Sequence, residues 1–447
     1  MSSLIISVSG IRGIVGSGLD PEKVGRFASA FGAWCGKGPV IVGRDSRTSG
    51  AMLNRAILAG LQSVGVDVID LGIVPTPTVL FTIREERAAG GVAITASHNP
   101  IEWNGLKFVG PSGTFLDDRQ GSELLKIYAG DGAQKKGWDG LGQVACRSDA
   151  IDAHIDRILA LDIIQPDLIR TRKFRVAIDC INGAGSLASP LLLERLGCEV
   201  LPINCIPDGL FSHPAEPVPE NLVQLCEMVK TQGADVGFAN DPDADRLAMV
   251  SEAGVAIGEE YSLALAAKFV LSKKRGPLVA NLSSSRMLDD VAGEYGIPVH
   301  RTPVGEVHVA QKIVEVGAAI GGEGNGGVIY PELNLGRDAL VGMALILQYM
   351  AEMGKTLSEL KRTIPEYTIL KRKFEPEQMD KDAALEAILA AYAGEEMDVR
   401  DGIKLLRDRS WLHIRKSNTE PILRAVVEAP TEQEADEFLK EVAAHFN

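Results

Sequence analysis

A chain of 447 residues is too long for one hydrophobic core, so two to four domains are expected. A formal net charge of −14 argues against nucleic acid or an anionic membrane surface as the main partner, and an apolar share of 45% is ordinary for a soluble globular protein. No apolar run approaches the ~18 residues of a membrane span and no basic region precedes the short apolar N-terminal stretch, while six scattered cysteines without a CxxC pair disfavour zinc or disulfides and point to a reducing cytosol.

In chain order, SGIRG first sets Arg12 between glycines, a candidate anion contact that alone is no more than a surface arginine. One plan then recurs three times. PVIVGRDSR, a helical stretch ending in LQSVG, and VDVIDLGIVPTP read as strand, loop, helix, helix-ending glycine, strand and proline-bearing loop. FRVAIDCINGAG, LLLERLG and CEVLPINCIPDG repeat it, as do PLVANLSSSRM, VAGEYG and IPVHRTPVGEV. Glycine at a helix end supplies the left-handed cap, and the alternation predicts βαβ units with a parallel sheet. Each copy continues into a further strand, GGVAIT, GADVGF or GAAI, that opens an unusual loop: ASHNP, ANDPDADR or GGEGNGG. Ligand loops of open α/β sheets sit at strand carboxyl ends, so three like domains facing one cleft would bring these loops together. Three unrelated α/β units would share the same grammar, and the motifs must decide. After about Lys371 the pattern changes to a helical stretch, the strand-like DGIKLL and SWLHI, and a strand followed by a helix, predicting a smaller α+β unit. The expected domains are 1–145, 146–254, 255–368 and 369–447, with linkers near Gly142–Ser148, Ser251–Gly258 and Tyr367–Phe374.

ANDPDADR places Asp241, Asp243 and Asp245 at alternate positions. Three carboxylates this close repel unless a cation neutralises them, and hard oxygen ligands suit Mg²⁺ or Ca²⁺. The acids from Asp241 to Glu252 nearly fit a calcium EF-hand, but Arg246 stands where that loop needs glycine, and GADVGF upstream reads as a strand. Mg²⁺ is therefore favoured, against a solvated acidic turn. GGEGNGG matches GxGxxG through Gly322, Gly324 and Gly327, yet Glu323 would repel a pyrophosphate and Tyr330-Pro331 follow where a helix should begin. Glu323 and Asn325 on bared backbone suit vicinal sugar hydroxyls instead; the alternative is a plain glycine turn. RKSNTEPILR gathers Arg415, Ser417, Asn418, Thr419 and Arg424, either a phosphate site or an exposed hairpin turn.

GGVAITASHNP ends a β-like run on Ser97. No GxSxG elbow surrounds it. His98 adjoins it, and on extended backbone the two side chains diverge, so a serine-protease triad is unattractive. The acidic, sugar-like and phosphate loops make Ser97 a phosphoryl carrier instead, with Mg²⁺ bridging its phosphate to the three aspartates. Lys107, in WNGLK, is the nearest candidate for proton transfer to or from the accepting hydroxyl, or else an ordinary exposed lysine. The rival enzyme is a Mg²⁺-dependent sugar phosphatase using Ser97 transiently, and the rival non-enzyme a phosphosugar-binding regulator.

TASHNP, DPDADR, GGEGNGG and RKSNTEPILR, in this order and spacing, resemble the α-D-phosphohexomutase superfamily of phosphoglucomutases, phosphomannomutases and phosphoglucosamine mutases, over essentially the whole chain. The resemblance implies an α/β fold of three similar mixed-sheet α/β domains plus a smaller α+β C-terminal domain around a central cleft. It implies a phosphoserine at Ser97 with His98 beside it, and Mg²⁺ held by Asp241, Asp243, Asp245 and a Ser97 phosphate oxygen. Glu323 and Asn325 match the sugar-binding loop, residues 415–424 the phosphate-binding loop, and Arg12, Lys107 and Arg246 the basic residues near the transfer site. A hexose 1,6-bisphosphate serves as activator and intermediate, the partner is a phosphosugar, and the enzyme is a cytoplasmic isomerase, monomer or homodimer. Two departures stand out. Many relatives carry Glu-x-Ser-Gly-His in the sugar loop; here Asn325 replaces the serine and Gly327 the histidine, so that histidine's acid–base role does not carry over. The EGNGG form resembles the archaeal-type branch, often assigned to glucosamine phosphate, while the serine-asparagine-threonine of the last loop also occurs in enzymes acting on mannose and glucose phosphates.

Overall fold

The structure, a computed structural model, describes residues 4–7, 10–130, 133–374, 381–416 and 422–445. The first sheet contains β1 (Leu4–Ser7), β2 (Gly10–Ile14), β3 (Val40–Arg44), β4 (Val68–Ile73), β5 (Gly90–Ile94), β6 (Trp103–Val109) and β7 (Val144–Cys146), in the order β1-β2-β6-β5-β3-β4-β7. The second contains β8 (Arg175–Asp179), β9 (Glu199–Ile203), β10 (Val236–Asn240) and β11 (Leu247–Ser251), in the order β11-β10-β8-β9. The third contains β12 (Leu278–Asn281), β13 (Val299–Thr302), β14 (Ile320–Glu323) and β15 (Gly327–Ile329), in the order β13-β12-β14-β15.

The repeated plan is the same in space. In each copy two crossovers through helices make three parallel strands, and a hairpin adds a fourth, antiparallel strand: β6-β5-β3-β4, β11-β10-β8-β9 and β15-β14-β12-β13. The helices Val223–Gln232 and Glu306–Val316 end on Gly233 and Gly317, both at φ +62°, the left-handed cap that glycine adopts without a Cβ penalty. In every copy the unusual loop is the hairpin connection, so it leaves the carboxyl end of a parallel strand.

Two stretches expected as linkers carry sheet instead. Val144–Cys146 is β7, paired parallel with β4, and Thr368–Phe374 is β16, paired with β20 along its whole length. Both satisfy backbone groups that a neighbouring strand would otherwise leave without ladder partners. The fourth sheet contains β16 (Thr368–Phe374), β17 (Glu396–Asp398), β18 (Ile403–Leu406), β19 (Trp411–Lys416) and β20 (Leu423–Ala429), all antiparallel in the order β16-β20-β19-β18-β17. It packs with the helices Lys381–Ala391 and Glu432–Ala443 around a core of its own.

The helices Glu260–Lys273 and Ala339–Met353 are apolar on almost every side. Such helices must be buried, and both lie in one core shared by the second and third sheets. Fixed bonds tie the first domain to this block. His154 Nε2 lies 2.9 Å from Asp338 Oδ2 and its Nδ1 lies 3.0 Å from the Thr78 hydroxyl, all fully buried. Among the described residues no helix is long and apolar enough to cross a membrane.

Candidate active site

Beyond β5 the chain turns through Ser97, whose φ of +47° lies in the left-handed region. That conformation costs a non-glycine residue roughly 1–2 kcal/mol, so something must hold it. Arg47 does so from beneath. It is fully buried, and its guanidinium donates to the backbone carbonyls of Ser97 (2.6 Å), Asn99 (2.7 Å), Pro100 (2.7 Å) and Trp103 (3.0 Å). Its Nε donates to Asp45 Oδ2 at 3.1 Å. The same oxygen accepts the Thr95 hydroxyl at 2.7 Å, and Thr95 Oγ1 accepts the Ser97 N–H at 2.9 Å. A buried charge persists only when paired and fully hydrogen-bonded; here that bonding is spent on one loop. The left-handed backbone also corrects an expectation. Ser97 and His98 do not diverge, because the chain is not extended here, and Ser97 Oγ lies 3.4 Å from His98 Nδ1. The nearby Arg246 guanidinium, with burial, pushes the His98 pKa down to about 2, so the imidazole is neutral.

Ser97 Oγ donates to Asp241 Oδ2 at 2.9 Å. Asp241 caps its own loop, its Oδ1 accepting the N–H groups of Asp245 and Arg246 at 3.1 Å each. Asp241, Asp243 and Asp245 are all buried, and one oxygen from each lies within 4.8 Å of the others. Their remaining oxygens divide cleanly. Asp243 Oδ2 accepts from the Thr76 hydroxyl (2.6 Å) and Lys107 Nζ (2.7 Å); Asp245 Oδ2 accepts from Lys107 (3.1 Å) and Arg337 (2.8 Å). Among the described residues, the Oδ1 atoms of Asp243 and Asp245 are buried without a hydrogen-bond partner. Orphaned buried acceptors are rare and costly, and anionic oxygens converging beside a third carboxylate fit a hard divalent cation. Burial and the two neighbouring carboxylates push Asp241 well above the usual carboxylate range. Burial acts the same way on Asp245, but Arg337 and Lys107 outweigh it and hold that carboxyl below the range. For Lys107, burial is likewise outweighed by Asp243 and Asp245, which keep it a protonated ammonium.

The sugar-type loop connects β14 and β15, and it is stitched to the aspartate loop: the Leu247 N–H donates to the Gly326 carbonyl at 2.9 Å. Gly326 has φ +87°, and a Cβ there would lie 2.5 Å from the Leu247 carbonyl oxygen, so only glycine fits. Glu323 is buried. Its Oε1 accepts from Asn281 Nδ2 (2.7 Å) and the Gly305 N–H (3.2 Å), and its Oε2 faces Arg337 at 3.2 Å. Asn325 Oδ1 accepts from the same guanidinium at 3.3 Å. Arg12 reaches the serine loop by donating to Asn99 Oδ1 at 3.3 Å, and Arg246 donates to Glu216 Oε1 at 3.2 Å.

On the fourth sheet Arg415 of β19 sits directly opposite Arg424 of β20. Like charges facing across a strand pair repel, so this pairing suits an anion between or above them. Burial lowers the Arg415 pKa; Asp401 opposes this, Arg424 adds to it and Glu323 opposes it, which sets Arg415 within electrostatic reach of the sugar-type loop. Ser417, Asn418 and Thr419 lie outside the described residues. The fourth domain docks on the third through Ser283 Oγ and His413 Nδ1 (2.8 Å), Lys404 Nζ and the Leu282 carbonyl (2.6 Å), and the Arg286 N–H and Glu428 (2.9 Å).

Ser97, His98, Lys107, Arg246 and the three aspartates thus share one cluster, Glu323 and Asn325 join it through Arg337, and Arg12 joins it through Asn99. Arg47, Thr76, Arg337 and Glu306, whose Oε2 accepts from Arg337 Nε at 2.8 Å, were not singled out from the sequence. Arg337 lies in the Gly-Arg-Asp triplet at 336–338, which also occurs at 43–45, but the arginine of that earlier triplet is Arg44, so the recurrence does not point to Arg47.

A serine bonded to a buried carboxylate trio, faced by guanidiniums from separate domains, defines an enzyme of phosphoryl transfer. Four family models match in succession: phosphoglucomutase/phosphomannomutase alpha/beta/alpha domain I over residues 4–135, domain II over 152–254, domain III over 258–367, and the C-terminal domain over 370–445. The chain belongs to the phosphoglucomutase/phosphomannomutase family and is a phosphohexomutase. It is 39% identical over 440 residues to the "Phosphoglucomutase/phosphomannomutase" of Thermococcus kodakarensis, covering 96% of each chain. It is 38% identical over 437 residues to the "Probable phosphoglucosamine mutase" of Methanopyrus kandleri, covering 97% of this chain and 95% of that one. The crystal structure of a phosphoglucomutase/phosphomannomutase family protein from Burkholderia thailandensis superposes with a TM-score of 0.87 at 28% identity, covering 99% of this chain and 97% of that chain.

Proposed function

We propose that this phosphohexomutase interconverts hexose 6-phosphate and hexose 1-phosphate through phospho-Ser97 and a hexose 1,6-bisphosphate, with glucosamine phosphate as its preferred hexose. The observation that carries the mechanism is the Ser97 Oγ bond to Asp241 inside the carboxylate trio, with Lys107 across the other two acids. Phospho-Ser97 gives its phosphoryl group to the free hydroxyl of the bound monophosphate. The bond from phosphorus to the serine oxygen breaks as the bond to the sugar oxygen forms, the sugar hydroxyl gives up its proton and the released serine oxygen takes one, and the bisphosphate then returns its other phosphoryl group to Ser97 by the reverse exchange. Asp241, Asp243 and Asp245 would hold Mg²⁺, which when bound supplies charge neutralisation for the transferring group. Lys107, whose ammonium bridges Asp243 and Asp245, carries the proton to or from the accepting hydroxyl. His98, with Nδ1 3.4 Å from Ser97 Oγ, orients the serine oxygen.

Glu323 and Asn325 receive the sugar hydroxyls. Arg415 and Arg424, with Ser417, Asn418 and Thr419, hold the phosphate that is not being transferred, and Arg12 and Arg246 add positive charge near the one that is. The preference for glucosamine phosphate rests on the names of archaeal relatives such as that of Methanopyrus kandleri, and on the acidic Glu323, which accepts from an ammonium as readily as from a hydroxyl. The proposed setting is the cytoplasm. A coupled assay of glucosamine, mannose and glucose 1-phosphates side by side, with Mg²⁺ and catalytic bisphosphate, tests the substrate: glucosamine phosphate should give the highest kcat/KM. Release of inorganic phosphate without isomerisation would mark a phosphatase instead.

A further inference from the structure

Gly327 opens β15, and the space beside it is already taken. A Cβ at this position would lie 2.1 Å from Arg337 Cδ, 2.8 Å from Arg337 Cγ and 3.1 Å from Asn325 Oδ1. The arginine stem therefore runs through the volume that a side chain at 327 would fill. Beyond it the guanidinium, itself buried, meets Asp245 Oδ2 (2.8 Å), Glu306 Oε2 (2.8 Å), Glu323 Oε2 (3.2 Å) and Asn325 Oδ1 (3.3 Å). The Glu306 carboxylate also accepts the Arg337 backbone N–H at 2.9 Å, so the arginine is held at its root as well as its tip. One planar cation thus touches an acid of the aspartate loop and both polar residues of the sugar-type loop. A rigid fork of donors suits that task better than a flexible ammonium.

We propose that Arg337 is the positioning residue of the sugar subsite: it occupies the room left by Gly327, holds the Glu323 carboxylate and the Asn325 carbonyl in place, and ties them to Asp245. The inference rests on the reading that Glu323 and Asn325 meet the sugar. With its carbonyl engaged, Asn325 offers its NH₂ to the guest while Glu323 offers oxygen, a pairing that selects a donor and an acceptor on neighbouring sugar carbons. A guanidinium does not exchange protons near neutral pH. Arg337 therefore acts through its position and its charge, not through acid–base chemistry.

The test is a double-mutant cycle on the full enzyme: unaltered, Gly327→His, Arg337→Gly and the pair together, each assayed for kcat and KM with whichever of the three hexose 1-phosphates the unaltered enzyme turns over best. The choice of hexose is thereby separated from the inference. Each single change should lower kcat/KM by about 30-fold or more, with the Arg337→Gly loss falling mainly on KM. The double variant should lose at least about tenfold less than the product of the single losses, because the histidine enters vacated space. Millimolar guanidinium should restore Arg337→Gly and leave Gly327→His unchanged. If Arg337→Gly does not fold, Arg337→Lys replaces it in the assay, with KM again expected to rise because an ammonium cannot span the same partners. An unchanged KM on loss of Arg337, losses that simply multiply, or no guanidinium rescue would each overturn the proposal. Inactivity of the unaltered enzyme on all three hexoses would instead overturn the mechanism on which it rests.

Discussion

Ser97 works from a backbone conformation it would not choose alone, and the residue enforcing it is Arg47. Replacing Arg47 with Met removes the donor to four carbonyls in one turn and leaves Asp45 buried without its ion pair. Breaking a buried pair from one side costs about 3–5 kcal/mol, so denaturant unfolding should show a loss of that order, and the folded remainder should have reduced kcat. Ser97→Ala should leave stability nearly unchanged, abolish bisphosphate-dependent turnover, and leave no phosphate detectable by intact mass; full activity would remove Ser97 from the mechanism. Lys107→Met should lower kcat about 100-fold or more, since two acids lose their shared ammonium. At this scale the sequence was informative where partners are close along the chain. The aspartate trio lies within five positions and Ser97 ends a recognisable strand. Arg47 and Arg337 escaped because their partners are backbone carbonyls and side chains of remote loops, which no local spacing encodes.

The repeated element, a strand-to-strand hairpin at the carboxyl edge of each parallel sheet, was legible because its glycines and loop residues recur in the same order. The edge strands were not. β7 is three residues long and exposed throughout, so no alternation of polar and apolar side chains announces it. The helix Glu260–Lys273 carries a testable feature beneath the sugar-type loop. Glu260 accepts the Ser285 N–H at 3.0 Å, and its carboxyl lies so near Gly324 that a Cβ there would be 2.1 Å away. Burial pushes the Glu260 pKa from 4.5 up to about 8. A carboxyl with a raised folded pKa keeps its proton in the native state after the unfolded chain has lost it, so this group stabilises below about pH 4.5 and that contribution is lost as pH rises toward 8. Glu260→Gln should flatten the decline in unfolding free energy between pH 5 and 8, followed by urea denaturation at several pH values. An unchanged slope would mean that Glu260 is ionised in the native state.

Across the whole molecule, the site exists only because separate domains are locked together. Thr76 of the first domain bonds Asp243 of the second through both backbone and side chain, and Arg337 of the third completes Asp245. Four units were expected from the sequence, but their mutual placement was not readable there, since it depends on buried bonds such as His154 to Asp338 that pair residues 184 positions apart. Convergence of carboxylates predicts a linkage between metal and stability. A ligand that binds only the native state at 100 times its Kd contributes about 2.7 kcal/mol. Added Mg²⁺ should therefore raise the melting temperature of the unaltered enzyme by a few degrees, and the rise should vanish in Asp243→Asn. An equal rise in both would place the ion elsewhere.

The facing arginines of the fourth sheet carry one last implication. A receptor made from two mutually repelling cations weighs charge and is blind to which carbon bears it. On the proposed mechanism, either terminus of a doubly phosphorylated sugar would relieve the same repulsion. If, as proposed, the guest turns end over end between two transfers, one berth would serve both of its poses without a second receptor for the reversed molecule.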